Sequence, residues 1–177
     1  MESTRETWES VVEPNLEQMR EAEVSLRLAL YLLVNDRVTD DVSVAIDGAQ
    51  VQVAGRVIFD IHGFLASRCL SRPGDGWRGR YEISGTTHGL EIHSTAGKGD
   101  VVATLKDNTR LLVECKKGPL TPSRSSAEYP ILREAIGQIV TSAPGTGERV
   151  AVAVPHYGRF VGLAAKWRDA PLVRMAV

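Results

Sequence analysis

The stretch GDVVATLKDNTRLLVECKKG, residues 99–118, decides how this chain is read. Two apolar runs, VVATL and LLVEC, flank the polar turn KDNTR, which is the pattern of a β-hairpin. Asp100 opens the first strand, and Glu114 and Lys116 interrupt the end of the second. Side chains alternate along a strand, so Glu114 and Lys116 share a face and Cys115 points the other way. Pairing of the two strands can bring the Asp100 carboxylate beside Glu114. Two neighbouring carboxylates repel, so the arrangement calls for a cation. A hard divalent ion such as Mg²⁺ takes oxygen ligands. Asp100, Glu114 and the backbone carbonyl of Cys115 would supply them. Lys116 would stand beside the attacking water, orienting it or balancing charge on a pentavalent phosphate.

Before the hairpin, NLEQMREAEVSLRLALYLLVND (15–36) predicts a long helix, with Leu16, Met19, Leu26, Leu30 and Leu33 on one stripe. Glu23 occupies the missing member of that stripe. A small roll of the helix would instead leave Ala22, Leu26 and Ala29 inside and Glu23 at the boundary. VSVAIDGAQVQVAG (42–55) alternates around Asp47 and Gly48, a hairpin signal. Residues 56–70 fit either a strand ending at Gly63 or a helix beginning near Asp60. SRPGDGWRGR (71–80) is a turn-rich loop. Residues 80–97 predict one or two strands broken at Gly85 and Gly89.

After the hairpin comes the Pro/Ser loop KKGPLTPSRSS, then a helix over AEYPILREAIGQIVTSA (127–143) with Pro130 near its first turn. ERVAVAVPHY (148–157) is an apolar, β-branched strand of the kind buried on both faces. RFVGLAAKWRD predicts a short helix, and PLVRMAV (171–177) a last strand. This order predicts an α/β sandwich with a mixed central sheet. The whole chain is expected to form one domain, with residues 1–14 flexible or peripheral.

The 177 residues, 43% apolar and 24% charged, suffice for one soluble domain with a real core. The longest apolar run, SLRLALYLLV, is too short to span a bilayer, so no membrane is expected. The N-terminus is acidic and polar, unlike a signal peptide, and the two cysteines suggest a reduced cytoplasmic protein. Residues 1–60 carry a net charge of −7 and residues 61–177 one of +6. An anionic partner would therefore meet the second part, and the acidic N-terminal third would suit a protein partner. The four histidines show no metal-ligand spacing, and neither a phosphate-binding loop nor a nucleophile elbow occurs.

Asp100, thirteen intervening residues, then Glu114-x-Lys116 resembles the PD-(D/E)xK nuclease superfamily, which has the restriction-endonuclease-like fold. That family's common core is a helix, a three-stranded antiparallel meander, a helix and a further strand. It matches the order predicted here from about residue 15 onward. The resemblance implies a metal-dependent nuclease, with Mg²⁺ or Mn²⁺ at Asp100 and Glu114 and Lys116 at the reacting phosphate. Many members place a Glu from the first helix at the metal, a role that would fall to Glu23. Some carry a Gln in the helix after the Glu-x-Lys strand, here Gln138, although the Tyr that follows it in one variant is Ser142. The Pro expected before the first Asp is Gly99. The implied partner is nucleic acid, DNA in preference to RNA. A homodimer is compatible with it, because cutting two strands commonly takes two sites.

Plainer explanations compete with each residue. Asp100 could be a turn residue after Gly99. Glu114 and Lys116 could be a solvent-facing pair on an edge strand. A catalytically silent module of the same fold, binding nucleic acid or protein, is the alternative to an enzyme. A thiol protein using Cys115 is a third reading, since a neighbouring Lys can lower a thiol pKa.

Overall fold

The computed structural model describes residues 18–120, 128–141 and 144–170. In chain order they form β1 (Gln18–Met19), α1 (Glu21–Val34), β2 (Val42–Ala45), α2 (Gly48–Val51), β3 (Gln52–Val53), β4 (Arg56–Val57) and α3 (Ile61–Leu65). There follow β5 (Cys69–Ser71), β6 (Gly79–Ile83), β7 (Leu90–His93), β8 (Val101–Thr104) and β9 (Arg110–Cys115). The order ends with β10 (Gly118–Pro119), α4 (Glu128–Thr141), β11 (Glu148–Ala153) and α5 (Gly158–Arg168). The expected N-terminal segment, Leu16, Ser142 and the expected last strand at 171–177 lie outside the described residues.

Seven strands make one mixed sheet in the order β11-β9-β8-β2-β7-β6-β5. The hairpin predicted from residues 99–118 lies between the edge strand β11 and the central strand β2. Val101 pairs with Val113 and Thr104 with Arg110, antiparallel. The KDNTR turn closes because Asn108 takes a left-handed backbone (φ 62°), which asparagine tolerates, and the Asp107 carboxylate accepts the Thr109 N–H at 2.9 Å. On its other edge β8 pairs antiparallel with β2. β9 continues through α4 to β11, which lies parallel to it from Arg110/Glu148 to Cys115/Ala153. A parallel pair needs such a crossover, and a helix provides it.

The alternation along β9 sorts its side chains between two layers. Leu111, Val113 and Cys115 join the core that includes Ala22, Leu26, Ala29 and Leu33 of α1. Leu112 is buried outside that core. The small residues Ala22, Ser25 and Ala29, all buried, let α1 lie close against β2, β8 and β9.

Three expectations change. Residues 42–55 do not make a hairpin at Asp47 and Gly48. The Asp47 side chain accepts the Ala49 N–H at 2.9 Å and caps α2, while Val42–Ala45 pairs with β7 and β8. Alternation shows that a strand has one buried face but does not name its neighbour. The chain reverses later, at Ala54 and Gly55 (φ 47° and 80°), between β3 and β4. Secondly, β11 is not buried on both faces. It is the sheet's edge, half-buried along most of its length. Thirdly, α1 starts at Glu21 and not near residue 15, because Gln18–Met19 pairs antiparallel with Gly118–Pro119. Of the two options for residues 56–70, the chain takes the helix, with Asp60 accepting the Gly63 N–H at 2.9 Å. No helix among the described residues is long and apolar enough to cross a membrane.

The β1–β10 ladder is fixed from behind by Phe160 of α5, which is fully buried. A Cβ on Gly118 would sit 2.7 Å from the Phe160 Cζ. Gly118→Ala is therefore expected to destabilise the protein by about 2 kcal/mol through overpacking. Urea unfolding would show it as a lower midpoint at unchanged slope. An unmoved midpoint would mean that α5 yields freely against the ladder.

Candidate active site

The site forms where the start of β8 meets the end of β9. Asp100 enters the sheet between two neighbours: its N–H donates to the Val113 carbonyl at 2.9 Å, and its carbonyl accepts from Ala45 N–H at 2.8 Å. Gly99 precedes it because the backbones pass too closely for a side chain. A Cβ there would lie 3.0 Å from the Val113 oxygen and 3.2 Å from its nitrogen. This contact accounts for glycine at the position where the resembling family expects proline.

Asp100 Oδ2 accepts the Cys115 N–H at 2.7 Å. The Asp100 carboxyl is pushed up to about 6 in all: burial raises it most, the Cys115 N–H pulls it down, and the charges of Glu114 and Glu21 raise it. Lys116 is 8% exposed. Its Nζ donates to Glu114 Oε1 at 2.7 Å and lies 3.5 Å from Glu134 Oε1 of α4. Burial would lower its pKa, but the hydrogen bond to Glu114 and the charges of Glu114, Glu21 and Glu134 outweigh burial, so the net shift is upward. Lys116 is thus a fixed positive charge at neutral pH and is unsuited to take up a proton.

Asp100 and Glu114 line a cleft of about 640 Å³. Gln138 reaches its wall from α4, and Asp47, Gln50 and the loop from Ser94 to Gly99 form the rest of the rim. The structure therefore brings Asp100, Glu114, Lys116 and Gln138 together. It does not bring Glu23. That side chain pairs with Arg27 at 2.7 Å, and the Arg27 guanidinium stacks over Phe64 at 5.5 Å. The acid of α1 nearest in effect to Asp100 and Lys116 is Glu21. Its Oε1 accepts from Gln50 Nε2 at 3.0 Å, and its charge acts on Asp100 and Lys116. The cause is the roll of α1: Ala22, Leu26 and Ala29 are fully buried, which turns Glu23 to the boundary. The small residues at 22, 25 and 29 were the available signal. Gln50 and Glu134 carried none, because only the tertiary fold brings them to β9.

Cys115 closes the ladder opposite Ala153. Its thiol is buried, and burial pushes it up to about 12, with a hydrogen bond to Ser25 pulling the other way. Such a thiol yields no thiolate near neutral pH, which removes the support for thiol chemistry. Asp40, Asp41 and His88 form a separate group whose ligand atoms lie within 4.8 Å of one another. There the Asp41 oxygens already accept from Arg80 Nε and the Gly89 N–H, both at 2.6 Å. They tie the start of β2 to β6 and β7 and leave little for an ion.

The chain matches no protein-family model, no curated protein and no solved structure.

Proposed function

We propose that the protein is a divalent-metal-dependent nuclease with a restriction-endonuclease-like core, acting on phosphodiester bonds, in DNA before RNA. The observation that carries this reading is the convergence of Asp100, Glu114 and Lys116 at one end of the β8–β9 hairpin. The spatial arrangement supports it: α1 packs on antiparallel neighbours β2, β8 and β9, with α2 to β7 intervening in the chain between β2 and β8, and α4 then crosses to β11 parallel with β9.

The donor set suits a hard cation. Asp100, Glu114 and Glu21 all offer oxygen, and the Asp100 carboxyl is raised first by burial and then by the charges of Glu114 and Glu21. Asp100 and Glu114 would hold Mg²⁺ or Mn²⁺, with the Cys115 carbonyl as a further protein ligand and Glu21 adding negative charge from α1 behind them. When bound, the ion supplies positive charge that acidifies a water and offsets charge on the phosphoryl oxygens. Asp100 Oδ1 is left for the ion because the Cys115 N–H engages Oδ2. Lys116 holds Glu114 by one oxygen and presents a permanent charge to the negative phosphate. The amide of Gln138, in the lining of the same cleft, can orient the strand by hydrogen bonding.

Incubation of supercoiled plasmid and labelled single strands with Mg²⁺, Mn²⁺ or EDTA tests the assignment. Cutting with metal and none with EDTA is expected. No cutting under any condition, with no metal uptake by calorimetry, would leave a silent binding module instead. The helix acids give a sharper comparison. Glu21→Gln is expected to weaken metal affinity about 10–100-fold, the range for groups supporting a metal site. Glu23→Gln should leave it unchanged, and the reverse ranking would restore Glu23 to the site.

A further inference from the structure

We propose that Arg20 and Lys117 form the docking site for the sugar-phosphate backbone of the nucleic-acid strand, to one side of the bond held at Asp100 and Glu114. This rests on the nuclease reading and adds where the substrate lies.

The β1–β10 ladder carries the inference. Its register pairs Gln18 with Pro119 and Met19 with Gly118. The next residues in line are Arg20 and Lys117. Like charges facing across an antiparallel ladder repel. No ion pair of either residue offsets this among the described residues. Arg20 is also the residue before the first turn of α1, with no side-chain cap, where a cation opposes the helix dipole. Local stability explains neither placement, whereas a bound anion relieves both.

The position connects with the cleft. Arg20, Lys117, Glu21 and Gln50 line a second hollow of about 430 Å³, and Gln50 also forms a wall of the first. A path therefore runs from Asp100 and Glu114 past Gln50 to the two cations. At the far rim, by contrast, Lys98 is held by Glu148 at 3.3 Å. A polyanion with regularly spaced charges suits this path: one phosphate at the carboxylates through the metal, and a later one between Arg20 and Lys117.

Binding of a fluorescein-labelled 30-nucleotide DNA strand, measured by anisotropy with Ca²⁺ over a range of salt, tests this alongside plasmid cleavage. Arg20→Gln/Lys117→Gln is expected to bind about tenfold more weakly and to reduce the slope of log affinity against log salt by about 1.4. Lys106→Gln/Lys166→Gln removes the same charge from elsewhere and should keep the slope. If both pairs behave alike, or if the wild-type protein binds no strand, the docking site falls. If the slope drops as expected but the plasmid stays intact, the docking site stands and the nuclease reading falls.

Discussion

Lys116→Ala is expected to lower metal-dependent cleavage by about 10³-fold, the loss typical of removing one preorganised electrostatic partner of a transition state. The Lys116 ammonium is fixed before any substrate arrives. It is 8% exposed, donates to Glu114 at 2.7 Å and has Glu134 at 3.5 Å. A charge already oriented in a partly dry cleft needs no reorganisation as negative charge grows on phosphorus. The upward shift of Lys116 separates this role from general-base catalysis. A lysine acting as a base would show its own ionisation in the pH–rate profile near neutrality. This one should not.

Loss of the ion pair also leaves Glu114 without its cation, at a site open to the cleft on one side. A stability cost of about 1–2 kcal/mol is expected, below the figure for a fully buried pair. That corresponds to about 2–8 °C in Tm for a chain of this size. Circular dichroism and the melting curve would therefore show a folded variant that has lost activity. Lys116→Arg restores the charge with a different shape and should recover only part of the rate. Equal activity of wild type and Lys116→Ala would remove Lys116 from the chemistry.

The hairpin, α4 and the strand β11 were legible as elements because each has a local signal. Two apolar runs flank KDNTR, Pro130 sits in the first turn of α4, and VAVAV (150–154) is apolar and rich in valine. The convergence of Asp100, Glu114 and Lys116 was legible for the same reason: they lie within seventeen residues on one hairpin. What failed was long-range. Asp47 and Gly48 have the composition of a hairpin turn, yet Val42–Ala45 finds its partners at residues 90–93 and 101–102. Glu23 lies on the stripe of Leu26, Leu30 and Leu33, but α1 rolls so that Ala22, Leu26 and Ala29 are fully buried, which turns Glu23 to the boundary and leaves Glu21 as the acid whose charge acts on Asp100. The edge position of β11 was hidden because half-buried and fully buried strands use the same β-branched residues.

Asp100→Asn is expected to stabilise the protein above pH 6 while abolishing its response to metal. The carboxyl of Asp100 lies at about 6, chiefly through burial, against about 3.9 for an unfolded aspartate. Between those values the folded protein binds more protons than the unfolded chain. Wild-type stability should thus fall as pH rises from about 4 to about 6, and stay reduced above. The full shift corresponds to about 3 kcal/mol. Access of cleft water screens the group, so about 1–2 kcal/mol is the better expectation. The amide variant keeps an oxygen for the Cys115 N–H and never carries the charge, so its melting temperature should exceed wild type at pH 8 and match it near pH 4. The turn residue Asp107 provides the contrast: its pKa is lowered, first by the Thr109 N–H, so Asp107→Asn should lose stability at pH 8. An Asp100 that served only as a turn or backbone acceptor would behave like Asp107. Metal completes the test, since a ligand at a hundred times its Kd adds about 2.7 kcal/mol to the folded state. Mg²⁺ or Mn²⁺ at pH 8 should raise the melting temperature of wild type and leave Asp100→Asn unmoved. If Asp100→Asn instead melts lower at pH 8, the carboxylate is there to stabilise the hairpin, and the cation site has lost its principal ligand.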